Sequence, residues 1–300
     1  MRQASLLPEF IEEAAPALRT VNVASVPQRS IFRYPGGKTW FVPLFRRWIA
    51  SKAESPECLI EPFVGGGIIT LTALFENLVN HAIIVELDDD VAAVWQAIMD
   101  GDAEWLAKRI LNFEITRDSV TAEIETRGRT TREIAFQTIL RNRTLHGGIL
   151  AEGSRFVNHG ENGKGIRSRW YPKTLATRLR NMTFILNRME FIHGNGLEIL
   201  EQNAEREATV FFIDPPYTVG GKRAGSRLYT HSDLDHQRLF QICETLRGDF
   251  LLTYDNAEEV KNLARLHGFD AKLVPMKNTH HAEMTELLIG RDLSWLEGTT

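Results

Sequence analysis

The stretch Val210-Phe211-Phe212-Ile213-Asp214-Pro215-Pro216-Tyr217 is the most apolar run of the chain, closed by an acid, two prolines and an aromatic. A short run of β-branched and aromatic residues that stops at such a turn predicts a strand buried on both faces. Similar runs stand at Cys58-Leu59-Ile60, Ile83-Ile84-Val85, Phe191-Ile192 and Phe250-Leu251-Leu252, separated mostly by helix-like stretches. This alternation predicts an α/β fold: a mostly parallel sheet with helices on both faces, which binds ligands beyond the carboxyl ends of its strands. The polar residues that follow the runs, namely Glu61 to Gly67, Glu86, Asn195 and Asp214 to Tyr217, are therefore expected on the ligand side. Between the second and third runs the alternation breaks. Residues 132–145 are helix-like and basic loops follow, which predicts an inserted, mostly helical domain. The expected division is an N-terminal arm at 1–28, a catalytic domain at 29–112 and 184–300, and an insert at 113–183.

Composition narrows the class. A chain of 300 residues with 43% hydrophobic residues can bury a full core. No window approaches the roughly 18 apolar residues of a membrane span, and Glu9, Glu12 and Glu13 stand where a signal peptide places an apolar stretch. A cytoplasmic protein is expected. Cys58 and Cys243 lack any paired spacing with histidine, so neither a zinc site nor a disulfide is expected. The net charge of -4 conceals an asymmetry, because residues 141–180 carry nine Lys or Arg against two acids. With Gly, Asn and the aromatics Phe156, Trp170 and Tyr171, that segment suits loops lying along a phosphate backbone, although a solvated basic loop would have the same composition.

The chemistry of Asp214-Pro215-Pro216-Tyr217 is specific. An amino group conjugated to an aromatic base is a poor nucleophile until its nitrogen moves toward tetrahedral geometry, and acceptors aimed at its hydrogens favour that change. The Asp214 carboxylate and the Pro215 carbonyl can supply them, while the prolines stiffen the turn and remove competing donors. Tyr217 offers a face on which an extruded base stacks, worth roughly 1–3 kcal/mol.

After the first strand, Phe63 and the glycines Gly65, Gly66 and Gly67 allow a tight turn and a close ligand approach. Such turns serve nicotinamide, flavin and S-adenosylmethionine alike, and here the last glycine of the dinucleotide fingerprint is replaced by Thr70. Glu86 ends the next run about twenty residues later, where an acid bonds ribose hydroxyls; Asp88, Asp89 and Asp90 read as a helix start. The segment Tyr34-Pro35-Gly36-Gly37-Lys38-Thr39 ends like a phosphate-binding loop but has Phe32 where that pattern needs glycine. It could close over a cofactor through Tyr34 and Lys38; by itself it reads as an ordinary turn with an exposed lysine.

In this order, the elements resemble the Dam-like (D12 class) family of N6-adenine DNA methyltransferases, over roughly residues 29 to 293. The resemblance implies a Rossmann-like S-adenosylmethionine-dependent fold. It places Tyr34, Lys38, Phe63, Glu86 and Asp214 at the cofactor, beside Gly65, Gly67 and Asn195, and puts Asp214, Pro215, Pro216 and Tyr217 at the target adenine. The insert would read double-stranded DNA through Arg141, Asn142, Arg143, Arg155, Lys164, Arg167, Arg169 and Lys173; within it, residues 141–148 resemble the family's Asn-Arg helix end and glycine turn. Tyr34 stands where relatives often have tryptophan, Glu86 where they have aspartate, and Asn195 where a carboxylate is common. The implied reaction is in-line methyl transfer by a monomer with no metal. His280-His281 near Glu283 and Glu286 is not read as a metal site, since neighbouring strand residues face opposite ways. Methylation of RNA or of the cytosine amino group, a non-catalytic DNA-binding relative and a nicotinamide oxidoreductase are the competing readings.

Overall fold

A computed structural model describes residues 23–33, 37–150, 153–160, 163–216, 234–277 and 283–297. The five apolar runs form strands β1 (Cys58–Glu61), β2 (His81–Glu86), β3 (Met189–His193), β4 (Thr209–Ile213) and β5 (Asp249–Asp255). All five pair in parallel. Two further strands, β6 (Asp270–Lys277) and β7 (Glu283–Gly290), complete a seven-stranded sheet of order β3-β2-β1-β4-β5-β7-β6, with β7 antiparallel to both neighbours. The sheet is Rossmann-like. Its strand order reverses between β1 and β4, which is where such sheets open a ligand crevice.

Alternate residues of each central strand feed two cores. Leu59, Val210, Phe212 and Leu251 join one, while Ile60, Phe211, Ile213, Phe250 and Leu252 join the other. Each such side chain, taken from water, contributes roughly 2 kcal/mol, which is why these runs are apolar on both faces. Helices α1 (Val42–Ala50), α2 (Ile68–Phe75) and α3 (Asp89–Met99) cover the first core. Helices α8 (Gly196–Gln202), α9 (His236–Thr245) and α10 (Glu258–Leu266) cover the second.

Between β2 and β3 the chain adds α4 (Ala103–Asn112), α5 (Arg117–Glu125), α6 (Thr131–Thr144) and α7 (Pro172–Met182). Both α5 and α6 start with a capping box, Thr116 with Ser119 and Thr130 with Glu133, so their N-termini are written in the local sequence. Helix α6 packs on α3, and α7 packs on α4. Their apolar residues, Phe136, Leu140, Leu175 and Leu179, join the first core together with Trp95 and Leu106. Helix α6 ends in a turn through Gly147 and Gly148, both at positive φ. Among the described residues, no helix is long and apolar enough to cross a membrane.

Candidate active site

Asp214 follows β4 directly and sits beside β5. Its Oδ1 accepts a hydrogen bond from Thr253 Oγ1 at 2.8 Å and lies 3.0 Å from Lys38 Nζ. Lys38 Nζ also lies 3.2 Å from Glu286 Oε2, on β7. The lysine is only 3% exposed, which corrects the reading of an exposed residue after a Gly-Gly turn. Its carboxylate partners come from strands about 180 and 250 residues further along the chain, and a buried ammonium is tolerated only when so paired. Pro215, next in the chain, is buried. Tyr217 and Tyr34, expected at the target base and at the cofactor, and His280-His281 lie outside the described residues.

The neighbouring strand ends carry the other expected groups. Glu86 Oε2 accepts from the Gly65 N–H at 3.0 Å, and Oε1 from the N–H groups of Leu87 and Asp88 at 2.9 and 3.0 Å. Asp88 instead caps α3, accepting from the N–H groups of Asp90 and Val91. Of the two acids, Glu86 therefore faces the glycine turn. Removal from water pushes its carboxyl up to about 7, against the pull of those three N–H donors. Gly67 has φ +62°, and a Cβ there would fall 2.7 Å from the Trp95 ring, whose Nε1 is anchored on the Gly65 carbonyl at 3.0 Å. Phe63 is half-buried against the second core. Asn195 is the N-cap of α8, its Oδ1 accepting from the Leu197 N–H at 3.0 Å. Glu86, Asn195, the glycine turn and Asp214 thus share the carboxyl edge of the sheet.

Glu61, the last residue of β1, has a role that the run-and-turn reading missed. It is 4% exposed, and its Oε2 accepts from Thr70 N at 3.1 Å and Thr70 Oγ1 at 2.6 Å. Burial pushes its carboxyl up to about 8; the Thr70 bonds oppose this, and the charge of Asp214 adds to it. Since the folded value lies above the ordinary glutamate value of 4.5, this side chain's contribution to stability is fully present below about pH 4.5 and is lost as pH rises through about 8. Glu61→Gln keeps an oxygen for Thr70 without the charge. Its thermal unfolding curve should be flatter between pH 5 and 9 than that of wild type, with a gain on the order of a few kcal/mol above pH 8.

The basic segment divides into two groups. Arg155, Lys164, Arg167 and Lys173 are exposed, and Arg169 is half-buried. Arg141 is bound to Asp90 and to the Leu150 carbonyl, both at 2.6 Å. Asn142 and Arg143 are buried, which corrects the expectation that they meet DNA. Asn142 bonds the N–H and C=O of Arg33 at 2.8 and 2.9 Å, and Arg143 Nε bonds the Ile31 carbonyl at 3.0 Å. Burial and the nearby Arg178, Arg33 and Arg169 push the Arg143 guanidinium down to about 9. Arg178 Nη1 adds a bond to the Ser30 carbonyl at 2.6 Å. These side chains clasp backbone 30–33, the segment that leads to Lys38. Their polar character alone does not distinguish a clasp from a DNA contact; the sequence clue was their position at the end of a helix with a buried face.

Among the described residues no group of three or more His, Cys, Asp or Glu is arranged to hold a metal ion. Cys58 and Cys243 are buried thiols outside any disulfide, with Cys58 pushed up to about 11 by burial. Fold and site together define a Rossmann-like protein whose sheet edge presents an acid on a proline-stiffened turn beside a glycine turn and a second acid. The family model described as D12 class N6 adenine-specific DNA methyltransferase matches residues 34–275, and the chain belongs to that family. It is 24% identical over 264 residues to the DNA N-6-adenine-methyltransferase of Escherichia phage P1, covering 84% of this chain and 33% of that protein. The chain thus spans about a third of the length of this curated relative. Similar solved structures include a methyltransferase from Geobacter sulfurreducens, at 12% identity and TM-score 0.38, covering 86% of this chain and 80% of that one. Another is TrmK of M. capricolum in complex with S-adenosyl-homocysteine, at 9% identity and TM-score 0.37, with coverage of 82% of this chain and 66% of that one.

Proposed function

We propose that this chain transfers a methyl group from S-adenosylmethionine to the N6 amino group of an adenine flipped out of double-stranded DNA. The observation that carries the reading is Asp214, held by Lys38 and Thr253 at the end of β4 and followed by the buried Pro215. The sheet edge fits the cofactor. Glu86 supplies a carboxylate for ribose hydroxyls, and the backbone approach at Gly65 and Gly67 leaves room for a ligand free of side chains. Phe63 borders the same turn, and Asn195 stands at the neighbouring strand end. When bound, S-adenosylmethionine supplies a methyl group on a sulfonium leaving group.

The protein's own share is positioning and hydrogen bonding. The Asp214 carboxylate and the Pro215 carbonyl accept the two amino hydrogens, drawing the nitrogen toward tetrahedral geometry, and Tyr217 stacks on the extruded base. The nitrogen's excess proton leaves through the acceptor at Asp214. No cysteine nucleophile is needed, consistent with two buried thiols. The interval 113–183 reads the duplex, with Arg155, Lys164, Arg167 and Lys173 on its surface and Arg169 lining a cavity of about 570 Å³ beside Arg155, Phe156 and His159. The protein works as a cytoplasmic monomer without a metal.

The test is transfer of labelled methyl from S-adenosylmethionine to unmethylated duplex DNA, followed by nucleoside analysis. Label in N6-methyladenine supports the reading; label only in RNA or in N4-methylcytosine, or none at all, overturns it. In the same assay, Lys164→Glu with Lys173→Glu should weaken DNA affinity at least tenfold at about 0.1 M salt and reduce its salt dependence, leaving cofactor affinity unchanged.

A further inference from the structure

The reading of Asp214 leaves one buried acid unexplained. Glu286 is 4% exposed, in a strand that the apolar runs did not reveal. Its two oxygens straddle Lys38 Nζ, Oε2 at 3.2 Å and Oε1 at 3.4 Å. The same ammonium lies 3.0 Å from Asp214 Oδ1, and that oxygen also takes the hydroxyl of the fully buried Thr253 at 2.8 Å. One ammonium therefore serves two carboxylates, and two donors converge on one oxygen of Asp214. A carboxylate on a single-bonded stem rotates unless its oxygens are fixed, and a lysine on four methylenes swings unless its head is held. Glu286 opposes the second motion, and through Lys38 and Thr253 the first is opposed as well.

We propose that Glu286 is a positioning residue for methyl transfer: it holds the Lys38 ammonium against Oδ1 of Asp214, so that the Asp214 carboxylate meets the target amino group in one orientation. This rests on the functional reading above. Glu286 faces Lys38 from the turn before α1, Asp214 from the end of β4 and Asp255 from its paired position on β5, with Glu61 lying beyond Asp214. Its carboxyl is held above the usual carboxylate range by burial, while Lys38 pulls it down. Protonation of Glu286 as pH falls releases its hold on Lys38, so transfer declines on that side.

The experiment is single-turnover methyl transfer by wild type and Glu286→Gln at saturating S-adenosylmethionine and duplex DNA, between pH 5.5 and 9. The expected result is a rate constant about a hundredfold lower, the scale of a misplaced reacting group. Affinities for cofactor and DNA should stay unchanged, and the acidic limb should move to lower pH. Thr253→Val removes the other donor and should slow transfer while keeping the wild-type limb. A Glu286→Gln rate and pH profile equal to wild type overturns the proposal. Where that variant does not fold, Glu286→Asp carries the test: it keeps the charge but withdraws it from Lys38, and a wild-type rate overturns the proposal equally. Chemical acetylation of Lys38, read by mass spectrometry, needs no transfer. Faster labelling in Glu286→Gln supports the hold, and unchanged labelling overturns it even if wild type proves inactive on DNA, the result that would sink the functional reading instead.

Discussion

Asp214→Ala should lower methyl transfer by about a thousandfold or more while duplex DNA still binds, because it removes an acceptor that acts on the amino group only as the nitrogen changes geometry. The loss is expected in the chemical step. Single removals of positioned hydrogen-bonding groups cost about two to three orders of magnitude elsewhere, and here the carboxylate also anchors the turn through Thr253. The fold should survive. Asp214 is partly exposed, with a side chain 23% accessible, and after its removal Lys38 keeps Glu286 as a buried counter-charge. A labelled-methyl assay beside an electrophoretic DNA-binding assay makes the distinction; wild-type turnover in this variant would show that the Asp-Pro-Pro turn is not where the amino group is activated.

Gly196→Ala is expected to damage the cofactor edge from the side of the fold. A Cβ at Gly196 would fall 2.2 Å from the carbonyl oxygen of Pro62 and 3.1 Å from the Phe63 ring. The obstacle is backbone, which cannot rotate aside like a long side chain. Either the start of α8 or the turn after β1 must move, and both form the edge that also holds Glu86. Overpacking of this kind costs about 1–3 kcal/mol, and for a chain of this size that lowers the melting temperature by several degrees. Because the displaced segment is the turn expected at the cofactor, affinity for S-adenosylmethionine should fall more than stability alone would suggest. Calorimetric titration with S-adenosylmethionine checks this, with Gly101→Ala as control. Gly101 has φ +90° and nothing within 4 Å, so its alanine costs stability through backbone strain alone, with no collision, whereas Gly196 has no positive φ and meets the collision alone. A Gly196→Ala protein that binds cofactor like wild type would mean that α8 and the turn are less closely coupled than their packing implies.

Strands whose side chains are buried on both faces announce themselves, and β1 to β5 were therefore legible as apolar runs with the functional groups just after them. The two antiparallel strands, β7 beside β5 and β6 at the edge, were not. In β6, Lys272 and Pro275 interrupt the apolar residues of a half-covered edge strand, whereas β7 does carry a short apolar run, Leu287-Leu288-Ile289, buried on both faces, that the search for apolar runs passed over. Capping likewise divides by range: Asp88, Thr116 and Thr130 bond to N–H groups two or three residues on, and a local sequence contains both partners. The insert's polar residues have distant partners, so Asn142 and Arg143 looked like surface groups until the fold brought Arg33 and Ile31 against them.

The sequence by itself determined the parallel sheet, the placement of acids and glycines at its carboxyl edge and the break that contains the basic segment, because strand burial, turn chemistry and charge density are local properties. Only the tertiary structure decided what each charge does: that Lys38 lies buried between Asp214 and Glu286, that Glu61 is buried against Thr70, and that two residues of the insert support the backbone. The free energy of a charge depends on the distance to its partner and on the water around it, and neither is set until the chain has folded.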